Sequence, residues 1–279
     1  MLSIPTVTTR SGVEIPQLGF GTYKVTNGAE EVVINALENG YRHLDTAQMY
    51  HNEAEVGAAW KASGVDRADL FITSKLDNPN HEPDVARTAF ARTLEDLQTD
   101  YVDLFLIHWP LPMYYNGDFG STWAVLEEFL ADGRARSIGV SNFEVHHLEK
   151  LFETAQVIPE VNQIESHPYL QVDELHSFNR EHGIITQAWS PLARGGVVSD
   201  PVLRKIGEAH GKSAAQVALR WALQRGDVIF PKAIHSERQR QNREIFDYEL
   251  TDEEMEAIYS LDRAEAGRTG KHPDVMDRL

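Results

Sequence analysis

The chain has 279 residues, 42% of them hydrophobic, and a chain near this size buries roughly three quarters of its unfolded surface, enough for a substantial core. Its 26 basic and 43 acidic side chains leave a formal charge of −17, a surface that repels phosphate backbones and anionic lipid, so neither nucleic acid nor membrane is an expected partner. There is no cysteine, which excludes disulfides, thiolate catalysis and cysteine-ligated metal. Met1 to Arg10 lacks the pattern of a signal peptide, and no apolar run reaches the roughly 18 residues of a spanning helix, so a cytoplasmic, monomeric globular protein is expected.

Taken in chain order, Ile4–Thr9 and Val13–Ile15 flank Arg10-Ser11-Gly12 and predict a small N-terminal hairpin. Short β-rich runs then alternate with amphipathic segments. The strands are predicted at Leu18–Phe20, Tyr41–Asp45, Leu70–Ser74, Val102–His108, Ala135–Val140, Glu160–Ile164, Ile184–Ala188 and Val228–Phe230. Helical spacing is found over Glu30–Glu38, Ala54–Ala62, Val85–Leu97, Thr122–Ala131, Glu144–Thr154, Asp173–Glu181, Val202–His210 and Ser236–Phe246. Ser121 and Asp173 are expected as N-caps, and Gly40, Gly64, Gly133, Gly183 and Gly211 stand where a left-handed residue ends a helix. Lys212–Arg225 is an extra helix before the last strand. Thr251–Leu261 is another, opened by the capping-box pattern Thr251-Asp252-Glu253-Glu254. The polar tail after Arg263 is expected to be a loop.

Strict βα alternation predicts a parallel sheet covered by helices, and eight repeats match a closed (β/α)8 TIM barrel. A doubly wound open sheet with a separate helical domain is the competing architecture. No linker or composition break divides the chain, so residues 1–279 are expected to form one domain.

The chemistry is expected at the C-terminal mouth of such a barrel. The strands end in His43-Leu44-Asp45, Thr73-Ser74-Lys75, Ile107-His108-Trp109-Pro110, Val140-Ser141-Asn142, Asn162-Gln163, Trp189-Ser190 and Pro231-Lys232. A lone aspartate at a strand end is most often a cap, and a histidine there is more often structural than catalytic. Seven polar ends in register are harder to assign to chance than any one. Lys75 is the least ordinary, because a lysine after Phe71-Ile72-Thr73 needs a partner, and Asp45 one strand away is the natural one. An ammonium near Tyr50 is expected to lower its phenol pKa and make it a usable proton donor. His108 would hold a carbonyl oxygen, so the set suits carbonyl reduction beside a hydride donor.

At this point the sequence resembles the aldo-keto reductase family over essentially the whole chain. The resemblance is carried by Gly19-Phe20-Gly21-Thr22-Tyr23, by Gly40-Tyr41-Arg42-His43-Leu44-Asp45-Thr46-Ala47-Gln48-Met49-Tyr50, by Gly139-Val140-Ser141-Asn142-Phe143, by Val161-Asn162-Gln163-Ile164-Glu165 and by Phe230-Pro231-Lys232. It implies NADPH-dependent reduction of a small-molecule carbonyl, with Asp45, Tyr50, Lys75 and His108 at the catalytic positions. No Gly-x-Gly-x-x-Gly fingerprint is present, in keeping with a family that binds its cofactor without that motif.

The resemblance further places Ser141, Asn142 and Gln163 on the nicotinamide carboxamide and Trp189 on its ring. Gly21, Thr22, Tyr23 and Asp45 border the cofactor. Ser190, Pro191, Leu192 and the Arg194-Gly195-Gly196 loop lie along the pyrophosphate. Lys232, Ala233, Ile234, His235, Arg238, Gln241 and Asn242 surround the 2′-phosphate and adenine. Tyr23, Tyr50, Asp77, His108 and Trp109 are implied to line the substrate site, with no metal. Among members of the family, the chain looks most like bacterial 2,5-diketo-D-gluconate reductases. The features are Lys75-Leu76 leading into Asn78-Pro79-Asn80-His81-Glu82-Pro83-Asp84, and Gly267-Arg268-Thr269-Gly270.

Four positions depart from the family pattern. Ala233, His235 and Gln241 replace a common serine, threonine and glutamate, which implies a weaker NADPH preference. Asp77 stands where tryptophan is frequent and implies a wider, more polar pocket, with His81 as a possible compensating cation for an anionic substrate. Two rivals remain at this point: a non-catalytic cofactor-binding or regulatory barrel, and a metal-dependent barrel hydrolase. Against the second, His146-His147 lie on a predicted helix and no His-x-His ends a strand.

Overall fold

The structure, a computed structural model, describes residues 3–26 and 28–279. Met1 and Leu2, the start of the segment read above for a leader, lie outside the described residues. Strands β1 (Thr6–Thr8) and β2 (Glu14–Pro16) form the expected hairpin, in antiparallel register Thr6↔Pro16, Val7↔Ile15 and Thr8↔Glu14.

Eight parallel strands follow in sequential order: β3 (Phe20–Gly21), β4 (His43–Asp45), β5 (Phe71–Leu76), β6 (Leu104–Ile107), β7 (Ile138–Ser141), β8 (Val161–Glu165), β9 (Ile185–Trp189) and β10 (Val228–Ile229). A parallel bridge between Leu18 and Ile229 brings the last strand back to the first. Gly19 N donates to Ile229 O at 2.9 Å and Ile229 N to Gln17 O at 3.0 Å. The sheet is therefore a closed barrel, and the open-sheet alternative is set aside.

The covering helices are α1 (Ala29–Glu38), α2 (Glu53–Ser63), α3 (Pro83–Asp96), α4 (Gly120–Ala131), α5 (Val145–Phe152), α6 (Asp173–Glu181), α7 (Pro201–His210), α8 (Ala214–Gln224), α9 (Ser236–Arg243) and α10 (Asp252–Tyr259). The two extra helices are present as α8 and α10. Thr251 caps α10 through its hydroxyl on Glu254 N, and the Glu254 carboxylate returns to Thr251 N at 2.9 Å. All five glycines expected at helix ends have positive φ.

The two expected N-caps are displaced. Helix α4 begins at Gly120, and Asp118 accepts from Ser121 N at 3.1 Å and from its hydroxyl at 2.6 Å, so the carboxylate takes the role given to Ser121. Asp173 lies inside the first turn of α6, after Val172 at φ 46°, where its charge favours the helix N-terminus and it pairs with Arg225 at 3.0 Å. Helix α9 stops at Arg243, short of the expected Phe246.

The apolar core has two main clusters and a small third one around Trp109. The larger cluster fills the space between barrel and helices, from Leu44 and Ile72 to Trp123 and Trp221. A smaller one, Ile15, Phe71, Leu104, Leu106, Val161, Val228 and Phe230, fills the barrel interior, with Val7 and Val13 packed against it. The hairpin thus plugs the N-terminal end and leaves chemistry to the opposite mouth. His43 sits buried near this plug, with Nδ1 on Pro16 O at 3.1 Å and Nε2 on Thr73 Oγ1 at 2.9 Å. Burial pulls it down to about 3, so it is a neutral packing residue. Among the described residues no helix is long and apolar enough to cross a membrane.

Candidate active site

Register brings the expected groups together. Leu44 pairs with Ile72 and Lys75 with Leu106 on adjacent strands, which places Asp45, Lys75 and His108 around one mouth. Lys75 is fully buried. Its Nζ lies 2.9 Å from both Asp45 oxygens and 2.8 Å from Thr46 O. The Tyr50 hydroxyl is 3.5 Å away, at the long edge of hydrogen bonding, and Nζ stands 5.1 Å from the Tyr50 ring centroid. Tyr50 rides on a short 3-10 turn, Gln48–Tyr50, that follows β4. Its ring packs on Tyr23 at 5.1 Å and edge-on to His108 at 5.7 Å.

Burial lowers the Lys75 ammonium pKa and Asp45 opposes that by charge and hydrogen bond. The expected lowering of the Tyr50 phenol is not found. Burial first, then the Asp45 carboxylate and Tyr23, push it well above the ordinary phenol value. Burial is the main reason, because a phenolate here has lost its water, and the Asp45 carboxylate adds to it because Tyr50 faces an ion pair and not a lone cation. Tyr50 therefore keeps its proton. His108 is held neutral: burial, then Lys75, then His81 pull it well below the usual imidazole value. Its Nδ1 is buried with no partner among the described residues. An orphaned acceptor is tolerated better than an orphaned N–H, so the hydrogen-bond pattern assigns the ring hydrogen to Nε2.

The groups implied for a carboxamide lie side by side but are engaged with one another. Ser141 Oγ donates to Gln163 O at 2.7 Å, and Asn142 Nδ2 donates to His108 O at 2.9 Å and Ser141 Oγ at 3.1 Å. Trp189 Nε1 donates to Asn142 Oδ1 at 2.9 Å. Gln163 Nε2 donates to Asp45 Oδ2 at 2.8 Å and Gln187 Oε1 at 3.0 Å, and the buried Gln187 Nε2 has no partner among the described residues. Gly21 lies against Phe230 O, where a Cβ would come to 3.1 Å. Thr22 donates from its hydroxyl to Asp45 O at 3.1 Å. After Trp189 the chain turns through left-handed residues at Ser190, Ala193, Arg194 and Gly195, flanking Pro191 and Leu192.

Lys232, Ile234, His235, Arg238 and Gln241 are exposed around buried Ala233 and Asn242. Neither Lys232 nor Arg238 has an ion-pair partner among the described residues.

Of the residues implied for the substrate, Trp109 packs with Leu111 and Met276, and with Met49, Tyr114 and Tyr115. Asp77 is half-buried and its Oδ1 accepts from Asn78 N at 2.8 Å. Burial raises its pKa. His81 does not serve as the expected cation: it is buried, stacked on Tyr115 at 5.1 Å, and burial pulls it down to about 4.

Two features escaped the sequence. Glu165, two residues beyond Gln163 and so on the same face of β8, accepts from Thr269 N at 2.7 Å, Gly270 N at 2.8 Å, the Thr269 hydroxyl and His167 Nε2. It ties the tail to the barrel mouth, and Gly270 lies so close to Trp189 that a Cβ would come within 2.5 Å of its ring. The tail then brings Asp274 to His146 at 2.9 Å and His147 at 3.2 Å. That trio has the makings of a metal site, but His147 Nδ1 accepts Glu144 N at 3.1 Å as part of a helix cap. The neutral ring then carries its hydrogen on Nε2 and has no lone pair to give a cation.

A closed eight-stranded barrel with a buried lysine–carboxylate pair, a phenol and an imidazole at its C-terminal mouth defines a barrel enzyme site. Residues 17–263 match the model of the Aldo/keto reductase family. The chain is 48% identical over 273 residues to the glyoxal reductase of Bacillus subtilis, covering 97% of each. It is 42% identical over 276 residues to the methylglyoxal reductase DkgA of Yersinia pestis, covering 98% of this chain and 97% of that one. A crystal structure of a Gox0644 mutant in complex with NADPH superposes with a TM-score of 0.94 at 37% identity, over 99% of this chain and 100% of that one. The chain belongs to the aldo/keto reductase family.

Proposed function

We propose that this protein is an NADPH-dependent reductase of small, uncharged aldehydes and dicarbonyls of the glyoxal and methylglyoxal type, with Tyr50 as the proton donor. The observation that carries the reading is the Lys75 ammonium, locked onto Asp45 and Thr46 O, with the Tyr50 hydroxyl 3.5 Å away and a neutral His108 beside it. Relatives named as glyoxal and methylglyoxal reductases and a neighbour solved with NADPH support the substrate and cofactor classes.

The mouth fits a nicotinamide dinucleotide phosphate. Trp189 offers a half-buried ring, Gln187 an amide nitrogen without a partner among the described residues, and Lys232 and Arg238 two exposed cations for a phosphate. NADPH supplies the hydride when bound. His108 Nε2–H orients the carbonyl oxygen and makes the carbon more electrophilic. Tyr50 gives its proton to that oxygen as the C–O bond becomes single. Lys75 stabilises the phenolate left behind, and Asp45 fixes Lys75, so neither needs to move. General acid catalysis of this kind supplies about 10²–10⁴-fold.

The 2,5-diketo-D-gluconate reading is disfavoured by Asp77. This carboxylate follows two residues after Lys75 and has no ion-pair partner among the described residues; only the weak pull of His51 opposes its charge, and His81 is neutral. A sugar-acid carboxylate there meets like charge, which costs several kcal/mol at close range. The test is NADPH oxidation with glyoxal, methylglyoxal, 2,5-diketo-D-gluconate and an aromatic aldehyde. The neutral dicarbonyls are expected to exceed the sugar acid in kcat/KM by at least about tenfold, the equivalent of ~1.4 kcal/mol. Preference for the sugar acid would overturn the Asp77 argument. No oxidation with any carbonyl would leave a non-catalytic barrel.

A further inference from the structure

Behind the exposed cations Lys232 and Arg238 lies a buried amide network. Gln239, fully buried in α9, spends its whole side chain there. Its Nε2 donates to Ala233 O at 3.0 Å and to Val32 O of α1 at 3.1 Å. Its Oε1 accepts from Asn39 Nδ2 at 2.8 Å, and its backbone carbonyl accepts from the Tyr41 hydroxyl at 3.0 Å. Asn39, at the end of α1, also donates to Ser236 Oγ at 3.0 Å, and its carbonyl accepts from Arg243. The turn between α1 and β4 is thereby bound to the segment 233–239 at several points.

A pair of buried amides adds little net stability, because an apolar pair of the same shape is nearly neutral in its place. What the amides do fix is direction. Lys232 and Arg238 are long, exposed and without an ion-pair partner among the described residues, so only their backbone positions can direct them to one phosphate. Both positions depend on Gln239: Lys232 precedes the carbonyl that Gln239 holds, and Arg238 is its chain neighbour. We infer that Asn39 and Gln239 are positioning residues for recognition of a cofactor phosphate by Lys232 and Arg238. This inference rests on the cofactor reading above.

The test is fluorescence titration of the full-length enzyme with NADPH and with NADH, together with Tm, for wild type, Gln239→Met and Asn39→Leu/Gln239→Met. The single variant takes from Ala233 O its Gln239 donor and leaves Asn39 Nδ2 with Ser236 alone, and is expected to lower Tm. It should weaken NADPH by about tenfold, one charge-assisted contact, with NADH within about twofold. The double variant removes the stranded amide and is expected to regain much of the Tm, yet the NADPH preference stays compressed because Ala233 O is still unheld. A purely structural network would instead show preference following Tm. Wild-type preference persisting in both variants, or returning with Tm in the double one, overturns this inference alone. Equal wild-type affinity for the two cofactors overturns the phosphate reading and the inference with it.

Discussion

Lys75 and Asp45 form a buried ion pair, and such a pair adds little stability over apolar packing while its disruption is costly. Lys75→Met strands the Asp45 carboxylate and is expected to lose about 3–5 kcal/mol of stability along with activity. Asp45→Asn/Lys75→Met removes both charges and should regain much of that stability with no recovery of turnover. Chemical denaturation and NADPH oxidation of both variants check this. A double variant as unstable as the single one would mean that the charge is not what Lys75 neutralises. The pairing itself was legible in the sequence, because Asp45 and Lys75 end neighbouring strands. The direction of the Tyr50 shift was not, because it depends on burial and on Asp45 screening Lys75, neither of which a spacing encodes. The charge of His81 is hidden from the sequence for the same reason: it is decided by burial beneath the Tyr115 ring.

The elements were legible where punctuation is local. Glycines with positive φ end the helices, and the Thr251–Glu254 pair opens α10. Residues 264–279 are polar and glycine-rich and so have the pattern of a loop, while the partners that order them are far away in sequence. Glu165 is the main one. Burial alone raises its carboxyl, but hydrogen bonds from His167, Thr269 and Gly270 outweigh this and hold it below the usual range. Glu165→Ala is therefore expected to release the tail from Trp189 without unfolding the barrel. Amide exchange at Thr269 and Gly270 should accelerate on the order of tenfold to a hundredfold, the worth of one charge-assisted bond. Strand amides should keep their protection. Unchanged exchange at the two tail amides would show that other contacts, such as Met276 on Trp109, suffice.

At the scale of the whole molecule, barrel closure followed from eight alternations, while the proton balance follows only from the fold. Four buried histidines stay neutral in the native state: His43 at about 3, His81 and His147 at about 4, and His108 well below its usual value. In the unfolded chain they titrate near ~6.5. As pH falls through 6.5 the unfolded state takes up protons that the native state cannot, so stability falls, by about 1.4 kcal/mol per pH unit per histidine. Glu53, raised to about 7 by burial against hydrogen bonds from Ser74 and Thr93, acts in the opposite sense. The native state holds its proton between the unfolded value and about 7, which offsets one histidine in that window. Tm is expected to drop steeply between pH 6.5 and 5, and His81→Phe, which retains stacking on Tyr115, should flatten the slope by one proton. An unaltered slope would mean that His81 titrates in the native state. On the proposed function, the Tyr50 phenol, held by the Lys75–Asp45 pair, delivers the proton in an NADPH-dependent reduction. The most direct measurement is the steady-state reduction of methylglyoxal by wild type and Tyr50→Phe, with NADPH affinity titrated in parallel. A loss of at least about 10²-fold in kcat, with NADPH affinity within a few-fold of wild type, is the predicted result. Activity above about a tenth of wild type would contradict it.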